Sequence, residues 1–329
     1  MSFKMLVTSA ALVLSSALLS ASAQAQTTWT MASGYPESNF VTQNLHMFIN
    51  DVEEKSQGQL KIDLRSGDSL IKLDAIKRAV QSGQVPIGEI RFGVYGNEAA
   101  IYNLDGTPGL ANNYDQAAKL RDALAPVYDA MFKKNGMRIL TYVAWPGQGF
   151  FTRDPVTSVA DLEGQRLRIN AKQTQVMGEK LGMEALVLPF AEVPQALSTG
   201  MVHSLWTSAQ TGSDIQIWDY LKNYTYAGAM HSMNAIVVSE SAFRELSPEL
   251  QTIVIEAGQR ATVSGWELSQ KANAEYVKVL TDHGVAVADA PQDVVDKIAE
   301  IGQEMVDEWL ITATPEEMAA YESYRKSIE

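Results

Sequence analysis

Along the first third of the chain the apolar residues switch repeatedly between a period of two and a period near 3.6. Thr28-Trp29-Thr30-Met31-Ala32 alternates and predicts a strand, ended by the turn residues Gly34, Tyr35 and Pro36. Val41, Leu45, Phe48, Ile49 and Val52 then share one face of a helix over Asn39–Lys55, which Gln57-Gly58 stops. Leu60 to Leu64 alternates again. Leu73 to Val80 reads as a short helix closed by Ser82-Gly83, and Pro86 to Phe92 as a third strand. Strands separated by helices pair in parallel through crossovers, so this order predicts an α/β lobe.

The grammar then repeats. Asn113–Asn135 sets Ala117, Leu120, Leu124, Val127, Met131 and Phe132 on one helical side. Met137–Ala144 is a strand, and Pro146-Gly147-Gln148-Gly149 breaks the pattern as a crossing between lobes. A second unit contains strand Arg166–Asn170, helices Thr174–Leu181 and Val193–Ser198, strand Val202–Trp206 and helix Ile215–Leu221. Ala235–Val238 reads as a strand returning to the first lobe. From Pro248 to Asp282 the pattern stays helical, with Gly258 and Gly265 inside it. At 1.5 Å per residue this is about 50 Å, enough to span two lobes. Two amphipathic helices, Pro291–Leu310 and Pro315–Ile328, follow.

Residues 1–25 have the composition of an export signal. Lys4 supplies the positive end, Leu6–Leu19 an apolar stretch with Ser and Thr, and Ala23-Gln24-Ala25 a cleavage pattern. The stretch is short for a membrane span, which needs about 20 strongly apolar residues. The expected location is therefore the periplasm, with the mature chain not inserted in a membrane. The formal net charge of -13 opposes nucleic-acid binding. It also means that an anionic ligand would need a locally positive site. Without any cysteine, thiol chemistry and thiolate metal sites are excluded.

Enzyme signatures are missing from the sequence. It has no G-x-S-x-G elbow, no P-loop and no H-E-x-x-H helix. Gly147-Gln148-Gly149 starts like a dinucleotide fingerprint but lacks the third glycine. His46, His203, His231 and His283 never stand three or four residues apart, so no local metal site is expected. Neither a cofactor nor catalysis is anticipated.

The block Asp161-Leu162-Glu163-Gly164-Gln165-Arg166-Leu167-Arg168 resembles the D-L-x-G-x-x-x-R signature of the dicarboxylate-binding (DctP) type of solute-binding protein that serves tripartite ATP-independent periplasmic (TRAP) transporters. Other segments agree in order: Gly34-Tyr35-Pro36, Phe48–Gly58, Ala79–Gly83, Pro108-Gly109-Leu110, Ala196–Gly200 and Leu246-Ser247-Pro248. The resemblance covers essentially all of the mature chain. It implies a two-lobe α/β periplasmic binding protein with an inter-lobe cleft, crossing strands and a long lobe-spanning helix. The first lobe would hold 27–147 plus 235–275, the second 148–234 plus 276–329. Its partners would be a small organic carboxylate and the TRAP permease subunits. A binding protein of an ATP-driven importer and a secreted hydrolase or isomerase are the alternatives.

In that family the arginine closing the signature, here Arg168, grips the ligand carboxylate. A guanidinium fork matches a carboxylate and keeps its charge when desolvated. On the residues alone, Arg168 is equally compatible with a structural pair to Glu89 or Glu192. Further candidates are Glu89 in Ile87-Gly88-Glu89-Ile90-Arg91, which would touch the ligand or pair with Arg91, and Asn170 at the end of Arg168's strand. Trp145 and Trp206 are candidate cleft walls. Tyr35 leaves the first strand where α/β folds gather binding residues. The resemblance adds Gln148, Thr207 and Asn234, at positions where relatives carry ligand contacts. It also shows departures: His203 stands where the family commonly has aspartate, and Gln148 where other members place charge.

Overall fold

The structure, a computed structural model, describes residues 26–329. The export signal read at 1–25 lies outside them. Strands β1 (Thr27–Ala32), β2 (Leu60–Arg65) and β3 (Ile87–Arg91) alternate with helices α1 (Phe40–Lys55) and α2 (Leu73–Gln81). β1 lies between β2 and β3 and pairs in parallel with both. The Asn39 side chain accepts the Val41 N–H and starts α1, and Asn113 does the same for α3 (Tyr114–Lys134) through Gln116. The strand expected over 137–144 is split into β4 (Met137–Ile139) and β5 (Val143–Ala144). Between them the Thr141 hydroxyl accepts the N–H of Ile236 at 2.9 Å, so a side chain replaces one rung of the ladder.

The chain crosses at 145–147 into a second sheet, of which it first builds β6 (Gln148–Thr152), β7 (Arg166–Ile169), β8 (Glu184–Val187), β9 (Ser204–Ser208) and β10 (Asn223–Tyr226). Helices α4 (Lys172–Lys180), α5 (Val193–Ser198) and α6 (Ala209–Asp214) connect it. Buried at every position, β6 has no alternation to betray it, and β8 is a largely exposed edge. The helix expected at 215–221 does not form. Gln216 takes a left-handed φ of 52°, and only a 3-10 turn follows.

β11 (Met233–Ser239) returns to the first sheet, antiparallel to β3 on one side and to β4 and β5 on the other. After α7 (Glu240–Glu245), α8 (Pro248–Asp282) runs between the lobes, and β12 (Ala286–Asp289), α9 (Gln292–Leu310) and α10 (Pro315–Ile328) complete the chain. The sheet orders are β2-β1-β3-β11-β4, with β5 also on β11, and β12-β10-β6-β9-β7-β8. α8 packs Leu250, Val254 and Ala257 among Phe48 and Ile236 of the first lobe, and Leu280 beside Tyr224 and Phe151 of the second. Its two glycines are contacts: a Cβ on Gly258 would lie 2.4 Å from the Leu140 carbonyl oxygen, and one on Gly265 2.5 Å from Val143.

The C-terminal helices depart from the expected division. α9 gives Val294, Ile298 and Ile301 to the second core but Val306 and Trp309 to the first. α10 buries Tyr321 and Tyr324 in the first-lobe core, where the Tyr324 hydroxyl donates to the Leu110 carbonyl. Periodicity shows that a helix has an apolar face but not which sheet will cover it.

Candidate ligand-binding cleft

A cavity of about 650 Å³ lies between the two sheets, a volume typical of small-molecule sites. Its walls come from the carboxyl ends of strands: Tyr35 beyond β1, Arg91 ending β3, Arg168 and Asn170 at the end of β7, and Thr207 and Ser208 closing β9. Such ends are where open α/β sheets collect ligands. Trp145 and Gln148, on the crossing between lobes, complete the floor. Thus Tyr35, Trp145, Gln148, Arg168, Asn170 and Thr207, six of the nine residues anticipated from sequence, line one space.

Arg168 is 3% exposed. β7 is flanked by β8 and β9, so its backbone is held in place, and alternation turns Arg168 inward from this strand. The guanidinium Nε and Nη2 both donate to the Leu188 carbonyl, at 3.1 and 2.8 Å. A single neutral acceptor thus fixes one side of the fork. Among the described residues no carboxylate forms an ion pair with Arg168; Glu89 and Glu192 are not its partners. Burial, then the neighbouring Arg91 charge, push its pKa down to about 9, so it remains a cation at neutral pH. A desolvated cation without a counter-ion is costly, and an anionic guest supplies what is missing.

Arg91 faces the same cavity from the opposite wall and was not among the anticipated site residues. It is 6% exposed, donates through Nη2 to the carbonyl of Asn170 across the cleft at 2.7 Å, and leaves its Nε without a partner among the described residues. The signal was present: Arg91 and Glu89 are charged residues two apart in an otherwise apolar strand that is buried throughout. Phe190 also reaches the cavity and meets Tyr35 edge-on, with ring centroids 6.4 Å apart.

Glu89, Asn234 and Trp206 do not line the cavity. Trp206 points from β9 to the face opposite Thr207, packs on Phe150 with centroids 4.6 Å apart and is fully buried in the second-lobe core. One step along a strand reverses the side chain. Glu89 and Asn234 form a layer behind the first wall. The Trp145 indole N–H donates to Asn234 Oδ1 at 2.7 Å, Asn234 Nδ2 donates to Glu89 Oε1, and the Ser33 hydroxyl donates to Glu89 Oε2 at 3.0 Å. Burial pushes Glu89 up to about 7, opposed by its bonds to Ser33, Asn234 and the Gly34 amide and by the Arg91 charge. Asp105, bonded to the Met233 N–H, is likewise pushed up to about 7 by burial.

Residues 31–312 match the model of the DctP family, described as bacterial extracellular solute-binding protein, family 7. The Bordetella pertussis extracytoplasmic solute receptor DctP6, solved binding pyroglutamic acid, is 36% identical with a TM-score of 0.89, covering 91% of this chain and 100% of that one. A marine metagenome TRAP solute-binding protein specific for pyroglutamate is 30% identical with a TM-score of 0.88, covering 92% and 99%. The sialic acid-binding periplasmic protein of Vibrio cholerae is 25% identical over 284 residues, 85% of this chain and 88% of that protein. Among the described residues no helix is long and apolar enough to cross a membrane.

Proposed function

The chain belongs to the DctP family of bacterial extracellular solute-binding proteins, and on that premise we propose that it captures a small organic carboxylate, closes over it and passes it unchanged to a TRAP-type permease from the periplasm. The observation that carries this reading is Arg168: a buried guanidinium with no counter-ion among the described residues, held by one backbone carbonyl and opening onto a cavity. Gln148, Asn170 and Thr207 would contact the ligand from the second lobe, and Tyr35 and Trp145 from the first. Pyroglutamate heads the candidates, because structures 30–36% identical over nine-tenths of this chain hold it.

Closure fits the connections. Segments 145–148 and 227–232 run side by side, with Trp145 N–H donating to Ser232 at 2.8 Å and Gly228 N–H to Gln148 at 2.9 Å. Together with α8 and the passage from α9 to α10 they make four links between lobes, which we assign as 27–147, 235–275 and α10 for the first and the remainder for the second. A ligand gripped from both walls binds the closed form better than the open one and so drives closure.

The test is a thermal-shift panel of organic acids and neutral sugars on the exported chain, then calorimetry and recovery of the ligand. A ligand at about 100 times its Kd adds about 2.7 kcal/mol of stability. Stoichiometric, saturable stabilisation by a carboxylate recovered unaltered is expected. Stabilisation by sugars and by no acid, or conversion of the acid, would overturn the reading.

A further inference from the structure

We propose that Glu89 sets the charge of the ligand that the cleft accepts: as a buried counter-charge beside Arg91 it holds the site to monocarboxylates, and neutralising it would admit dicarboxylates. This deepens the reading of the cleft as a carboxylate site and rests on it.

The two cavity guanidiniums differ in their surroundings. Among the described residues Arg168 has only the Leu188 carbonyl, whereas Arg91 stands two residues from Glu89 on the same face of β3. Glu89 is 1% exposed, and every group that touches its carboxyl is a donor. The Trp145 indole nitrogen can only donate, which fixes Asn234 Oδ1 toward it and leaves Nδ2 for Glu89. The Ser33 oxygen accepts the Tyr35 N–H at 3.4 Å and spends its proton on Glu89. The Gly34 amide is the third donor. A protonated carboxyl would need an acceptor, and only the Ser33 oxygen could serve, at the cost of the bond it now donates. The arrangement suits the anion.

No direct bond joins Glu89 to Arg91; the Arg91 donor goes to Asn170 instead. Glu89 therefore acts through its field, and removing its charge leaves that contact standing. The ionisable groups facing this carboxylate are Arg91 on its own strand, Tyr35 beyond β1 and Tyr95 after β3; burial pushes the ionisation of both tyrosines above its ordinary range. Asn234 on β11 and Trp145 on the crossing are neutral. Asp105 faces Arg91 from the side of the Met233 N–H and lies outside the cavity lining. A second carboxylate on the ligand would enter a desolvated space beside the Glu89 charge, where repulsion between unit charges is weakly screened.

Glu89→Gln is the decisive variant, since the amide keeps an acceptor for Asn234 and offers its NH₂ to the Ser33 oxygen. Calorimetry at about pH 8, where Glu89 is ionised, compares L-pyroglutamate with the five-carbon dianion glutarate. Glu89→Gln should shift the ratio of the two affinities toward glutarate by about tenfold or more. In the double variant Glu89→Gln/Arg91→Gln the two charge changes cancel, and the monoanion preference should return. A ratio within about twofold of wild type in Glu89→Gln would overturn the proposal. Wild-type protein gives a second readout that needs no variant to fold: displacement of pyroglutamate by glutarate should become easier from about pH 8 to about pH 6.5, as Glu89 takes up a proton, and an unchanged displacement would overturn it too. Failure of wild type to bind any acid would instead overturn the carboxylate reading itself.

Discussion

The two walls of the cleft hold a buried cation in opposite ways. On the second wall, Arg168 rests on one backbone carbonyl, and behind that sheet lies an apolar core of Phe150, Leu167, Trp206 and their neighbours. On the first wall, Arg91 stands in front of a polar layer in which Ser33, Glu89, Asn234 and Trp145 satisfy one another. One wall has an unmatched charge on an apolar backing; the other has a charge balanced from behind. A cation left unbalanced can be neutralised only from the cavity, which is the reason for proposing Arg168 as the grip and Arg91 with Glu89 as its regulator. The difference teaches that buried polar residues near a cleft are not all contacts: some exist to fix the charge and position of those in front.

The backing can be broken first. Trp206→Ala removes a fully buried side chain packed against Phe150 and should lower stability by about 3–5 kcal/mol. Because Trp206 faces away from the cavity, the folded fraction should keep its ligand affinity to within a few-fold. Denaturant unfolding with calorimetry on the same samples checks both. A small stability change with a large affinity loss would place Trp206 in the site and dissolve the contrast between the walls.

Arg168→Ala probes the unmatched charge. With nothing opposite the ligand carboxylate, affinity should fall by about 2–5 kcal/mol, roughly 30- to several-thousand-fold. Stability without ligand should be unchanged or higher, since a desolvated cation lacking a counter-ion has been removed. Calorimetry and thermal unfolding of the ligand-free protein separate these effects. An affinity loss below about threefold would remove Arg168 from the grip.

How much of this was legible in the sequence follows from the kind of signal each residue carries. α3, α8 and α9 announced themselves through long apolar periods and caps, and their boundaries fall within a residue of expectation. β6, β8, β10 and β12 were missed. β6 is buried throughout, so burial on both faces erases the period of two. At the site, Arg168 was legible from its motif, and Tyr35 and Asn170 from their places at strand exits. Thr207 and Trp206 were named together because spacing cannot say which of two neighbours faces the cavity until the register with β6 is known; Phe150 opposite Trp206 settles it. Arg91 was overlooked as a mere partner for Glu89, although both share a face of β3. What the pattern lacked was depth, the distinction between a lining residue and the layer behind it.

Away from the ligand the walls also touch, and there the smallest effect is expected. Asn39, which caps α1, donates through Nδ2 to Asp214 Oδ2 at 2.8 Å, and Gln210 Nε2 donates to the other oxygen at 2.7 Å. Burial pushes the Asp214 pKa up to about 6, with the Asn39 and Gln210 bonds acting against it. A carboxyl whose folded pKa is raised holds a proton that the unfolded chain has already released, so the folded state loses stability as pH climbs from about 4 to about 6. Asp214→Asn removes that loss. The new amide can still accept from Asn39, and Gln210 can turn its Oε1, which has no partner among the described residues, to receive the new N–H. The variant should therefore make the stability profile less steep over that window and raise the neutral-pH midpoint by about 2 °C, while the fall that Glu89 and Asp105 contribute from about pH 4 to about 7 persists. Thermal unfolding at half-unit pH steps measures it. An unaltered slope between about pH 4 and 6 would mean that this contact between lobes opens to water, and that the walls meet only through the ligand and the hinge.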